Sequence, residues 1–149
     1  MEETDKLQPG RRTPVDAGLL VLRLGIGLAF LAHGVPKILG GPETWQGLGR
    51  AMAVFGIGFA PTFWGFMAAF AEAFGALSLL LGLLLRPFAA LMFFTMAVAA
   101  AMHLGRGDGF AGASHALELA VVFLALLISG GGAYGVGRLI GPLRRRWYC

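Results

Sequence analysis

Four apolar runs, at about 16–36, 60–85, 87–104 and 115–130, take up most of this 149-residue chain. At 1.5 Å per residue, roughly 20 residues cross a hydrocarbon core of about 30 Å. The first two runs reach that length, while the third and fourth are shorter and joined by tight connections. Soluble domains carry about a quarter charged residues. This chain has 13% charged and 57% hydrophobic residues, more apolar side chain than a core of this size can hide. The surplus must face lipid, so the sequence describes an integral, multi-pass membrane protein.

The connections set the topology. Arg86-Pro87 parts the second run from the third, since proline suits the first turn of a new helix. Leu104-Gly105-Arg106-Gly107-Asp108-Gly109 parts the third from the fourth with glycines and charges. Short links of this kind imply an all-α, up-down-up-down transmembrane four-helix bundle. Pro36 is expected to end the first helix, and Gly130-Gly131-Gly132 to end the last. In the one long loop, about 37–60, Trp45, Leu48, Met52 and Phe55 recur at three- and four-residue spacing. That stripe predicts a short interfacial helix in the first extracytoplasmic loop, although Gly47 and Gly49 weaken it.

With four spans both termini share a side. That side would hold Lys6, Arg11, Arg12, Arg86, Arg138, Arg144, Arg145 and Arg146, against Lys37, Arg50 and Arg106 on the other. The positive-inside rule therefore places both termini in the cytoplasm and the protein in the cytoplasmic (inner) membrane. The expected division is a cytoplasmic tail at 1–15, a four-helix domain at 16–140 and a basic cytoplasmic tail at 141–149. The polar start lacks the pattern of a removable signal peptide, so the first run stays as a span. Arg144-Arg145-Arg146-Trp147 suits an anionic lipid surface rather than nucleic acid. A single cysteine, Cys149, excludes an intrachain disulfide and Cys-x-x-Cys exchange chemistry.

Charge at bilayer depth costs at least about 2.5–3.5 kcal/mol, so each such residue needs a reason. Arg23, Lys37 and His33 fall within about 80° of one helix face. Arg23 either snorkels or serves a site, and Lys37 either anchors at the interface or does the same. Glu72 shares its face with Gly65, Ala68, Ala69, Gly75 and Ala76, small residues that mark helix contact in lipid. It therefore points into the bundle, as a functional carboxylate or a buried ion pair with Arg23, His33 or Lys37. His115 and Glu118 are expected to open the fourth span near the outer level, and His103 to cap the third helix. Three histidines and two glutamates invite a metal, but no His-x-x-x-His spacing is present, and His115-x-x-Glu118 reverses the Glu-x-x-His order. No metal site is assigned. No phosphate-binding loop is present either.

Arg23 followed by His33-Gly34-x-x-Lys37 resembles the opening of the DoxX family. Glu72-x-x-Gly75, Leu81-Gly82-Leu83 and Arg86 are similar to its second helix, Glu118-Leu119-Ala120 to its last, and Phe55-Gly56-Ile57-Gly58-Phe59-Ala60-Pro61 to its loop. The resemblance runs over about 17–140. The closing stretch Gly130–Gly137 departs from the family's Gly-Pro-Gly turn and Ser-x-Asp. The resemblance implies a four-helix inner-membrane protein related to a thiosulfate:quinone oxidoreductase subunit and to membrane redox or thiol-stress complexes. With no covalently bound cofactor implied, such a chain would be a subunit rather than a complete enzyme. On that reading Arg23, His33, Lys37 and His115 would hold a quinone while Glu72 and Glu118 carry protons or form buried pairs. Its partners would be the lipid bilayer and either membrane or peripheral redox subunits or a homo-oligomer. Two further expectations stand beside this one: a non-enzymatic membrane anchor or assembly partner, and a small oligomeric transporter.

Overall fold

The computed structural model describes residues 12–138. Five α-helices make up those residues: α1 Pro14–Leu39, α2 Gly41–Gly49, α3 Pro61–Leu81, α4 Leu85–Gly105 and α5 Gly109–Ser129. A 3-10 turn, Arg50–Phe55, follows α2, and a second lies at Val136–Arg138. No strand occurs among the described residues. α1, α3, α4 and α5 are each long and apolar enough to cross a membrane, so the chain is a four-helix membrane bundle with a short helix in its first long loop. The expected lipid anchor at Arg144–Trp147 and the terminal Cys149 lie outside the described residues.

α1 starts on a reciprocal cap. The Thr13 backbone N–H donates to Asp16 Oδ2 (2.8 Å), and the Asp16 N–H donates to Thr13 Oγ1 (3.2 Å). It does not stop at Pro36 as expected but runs on to Leu39. A proline this close to a helix end forfeits one hydrogen bond, and the remaining residues of the last turn still close theirs. The indole N–H of Trp45 then caps the freed end by donating to the Lys37 carbonyl (3.0 Å). α5 also departs from expectation: it starts six residues before His115, at Gly109.

α1 packs chiefly on α3, and α4 on α5, with a lighter α3–α4 contact. α3 and α4 are joined at one end, the base, by a turn with Gly82 and Leu84 in the left-handed region (φ 64° and 52°). The start of α1 and the end of α5 meet there too, since Asp16 Oδ1 accepts from the Ala133 N–H (2.7 Å). The opposite end, the mouth, carries α2. That helix lies along the first turns of α3, where Gly49 meets the Pro61 carbonyl and Gly65 meets the Trp45 carbonyl. A Cβ on either glycine would overlap partner backbone, which is why residues that weaken a helix in isolation occupy this one.

Arg23 holds the base. Its side chain is fully buried, and it donates through Nε to the Leu79 carbonyl (2.9 Å) and through Nη1 to the Gly131 carbonyl (2.6 Å). Both acceptors sit where helices run out of N–H partners, so one guanidinium ties α1 to the ends of α3 and α5. It does not snorkel. Arg23→Met should leave two buried carbonyls without donors and cost about 2–6 kcal/mol, read as thermal unfolding in detergent. An unchanged melting temperature would contradict this assignment.

Candidate functional site

The site is built on the closest approach of α1 to α3. A Cβ on Gly34 would stand 2.6 Å from the Ala73 backbone nitrogen, and one on Gly27 would stand 2.9 Å from Leu80 Cγ. These two glycines let the helix backbones touch. Ala73 lies twelve residues into α3, about 18 Å along its axis, whereas α1 has only five residues left after Gly34. α1 therefore ends about 10 Å short of the mouth end of α3, which sets Lys37 opposite the middle of that helix.

That geometry brings Lys37 to Glu72. The ammonium donates to both carboxylate oxygens, at 2.7 Å to Oε1 and 2.6 Å to Oε2. Glu72 is 3% exposed, but the Lys37 side chain keeps 33% of its surface accessible. Neither charge is tolerable alone at this depth, and together they neutralise each other. Lys37 also lies in the last turn of α1, where the helix dipole favours a cation.

The accessible side of Lys37 opens onto a cavity of about 860 Å³. Its walls are mainly apolar, with Phe30 from α1, Met67 from α3, Met96 from α4 and Met52 from the 3-10 turn. Phe30 also meets Phe123 of α5 edge-to-face (5.1 Å), a ring contact that joins α1 to α5 at the cavity wall. Polar groups interrupt these walls at His33, Lys37, Glu72, Thr95, His103, Arg106 and His115. The Thr95 hydroxyl is spent on the Leu91 carbonyl (2.9 Å), and His103 Nδ1 lies 2.7 Å from Asp108 Oδ2. His33 and His115 bond no described residue. Trp64 also lines the cavity, and its indole N–H is buried without a partner.

The candidate residues thus divide into three groups. His33, Lys37, Glu72 and His115 gather around one cavity. Arg23 is at the base, outside the cavity lining, bound to carbonyls. Glu118 is neither in the cavity nor in an ion pair but exposed on the outer surface of α5. Sequence reasoning missed Trp64, whose only signal was an indole among apolar residues, and read Arg106 only as a loop charge; His103 it took as a helix cap or one of three histidines inviting a metal. Among the described residues no three His, Cys, Asp or Glu side chains are placed to hold a metal ion.

No curated protein and no solved structure matches the chain. The family model described as DoxX matches residues 18–105, from the first turns of α1 to the end of α4, leaving α5 outside. That stretch carries the Gly34 crossing, the Lys37–Glu72 pair and most of the cavity wall, and the chain belongs to the DoxX family.

Proposed function

We propose that this membrane protein is a quinone-binding subunit of an oxidoreductase complex, with the ligand's head group held beside Lys37 and Glu72. One observation carries the reading: a mostly apolar cavity of ligand size presents polar groups that the protein itself leaves unused, the accessible Lys37 ammonium and the His33 ring. Lys37 has three N–H groups, and Glu72 takes two at most, leaving one toward the accessible side. His33 also lines the cavity and offers a ring nitrogen that no described residue takes. Free donors in an apolar chamber fit a ligand that combines carbonyl acceptors with a greasy body, and a quinone is such a molecule.

A bound quinone supplies two-electron, two-proton chemistry to a partner subunit. In this chain Lys37 would orient a ring carbonyl and Glu72 would hold a proton-exchanging carboxylate in contact with that lysine. The apolar walls would exclude water. The basic residues near the base, Arg86 and Arg138 among them, favour a cytoplasmic base and an outward mouth in the inner membrane.

Calorimetric titration of a short-chain benzoquinone into nanodisc-embedded protein tests the reading. One saturable site per chain is expected. His33→Phe keeps an aromatic ring in the cavity wall but deletes the ring nitrogens, and it should weaken binding about fivefold. Heat that merely follows partition into lipid, identical in empty nanodiscs and in the variant, would overturn the proposal.

A further inference from the structure

Glu118 is the polar group the cavity does not absorb. It lies nine residues after Gly109 and eleven before Ser129, about 14 Å and 16 Å from the two ends of α5. A carboxylate side chain is too short to snorkel from there to either surface. It nevertheless faces outward: Ala113, Ala116, Ala120, Phe123 and Leu126 are the buried side of α5, and Glu118 projects opposite them. It bonds no described residue. A carboxyl group at mid-depth, turned toward acyl chains and lacking a partner, is an incomplete structure in a lone copy.

The same face supplies a complement. His115 stands one turn nearer the mouth, at the edge between this face and the cavity wall, exposed, with its ring bonded to no described residue. Ala111, Ser114, Ala125 and Ser129 share the face with Val121 and Val122, so most of its side chains are small and the largest are valines. Residues three apart on one helix meet their counterparts diagonally when two identical helices pack in parallel about a two-fold axis. A face carrying donor and acceptor at that spacing is complementary to itself. A second copy satisfies both residues twice.

We propose that this face of α5 is a homodimer interface in which Glu118 of each copy pairs with His115 of the other. The two pairs are related by a two-fold axis along the membrane normal. Dimerisation places both carboxyl groups between helices and removes them from lipid. The proposal does not depend on what occupies the cavity.

Cysteine cross-linking of the full chain in native membranes, on a Cys149→Ser background, tests it. Ser114→Cys is expected to yield a cross-linked dimer, and Val21→Cys, exposed on α1, is expected to yield none. Glu118→His or His115→Glu alone should reduce the Ser114→Cys dimer about tenfold, since each removes both interhelical pairs. Combining the two exchanges donor and acceptor and should restore the dimer to near the parent level. A parent protein that stays monomeric, single variants that cross-link like the parent, or a double exchange without recovery would each overturn the proposal. Cross-linking to a different chain in place of a second copy would do so too.

Discussion

Lys37→Met, with Glu72 left in place, should destabilise the bundle by about 3–5 kcal/mol, because it strands a carboxylate in a site that is 3% exposed. Denaturation in detergent, followed by helical circular dichroism, reads this directly. Glu72→Gln should cost less. The lysine it leaves behind keeps a third of its side-chain surface accessible on the cavity side, where water or a ligand can solvate it. The double variant Lys37→Met/Glu72→Leu should recover most of the loss, since two apolar side chains of similar volume need no partner. If Lys37→Met were as stable as the parent protein, the ion pair would not be the element that holds the centre of the α1–α3 contact.

Gly34→Ala should be nearly as damaging. The added methyl group would stand 2.6 Å from the Ala73 nitrogen and 2.8 Å from its Cα, and both are backbone atoms that cannot turn aside. α1 must then move away from α3, at a cost of about 3 kcal/mol and with Lys37 drawn off Glu72. Gly25→Ala is the internal control. Nothing lies within 4 Å of a Cβ there, so it should be neutral or gain up to about 1 kcal/mol from helix propensity. Equal effects of the two substitutions would show that close packing at Gly34 is not what matters.

The four spans were legible because hydrophobic run length is a property of the chain alone. The inward turn of Glu72 was legible too, from the small residues on its face. Depth was not. A helical wheel places Arg23 and Lys37 on one face, yet they are fourteen residues apart, about 21 Å along α1. The structure accordingly puts Arg23 at the base against Leu79 and Gly131, and Lys37 at the centre against Glu72. Glu118 shows the same difficulty. With α5 read as starting near His115, it belonged to the outer level; with the helix starting at Gly109, it drops to mid-depth. Gly47, Gly49 and Pro36 carried local signals against helix that tertiary contact overrode. The Gly49–Pro61 and Gly65–Trp45 contacts explain α2, and they involve residues too far apart in sequence for any local pattern to reveal.

The central claim is that the Lys37–Glu72 pair serves a ligand as well as the fold, and the Lys37→Met/Glu72→Leu variant separates the two roles. Its affinity for a short-chain benzoquinone, measured by calorimetry in nanodiscs beside its melting temperature, is the most direct test. The expected result is a folded protein with near-parental stability that gives no binding heat above empty nanodiscs. A folded double variant that binds the quinone as tightly as the parent would contradict the claim.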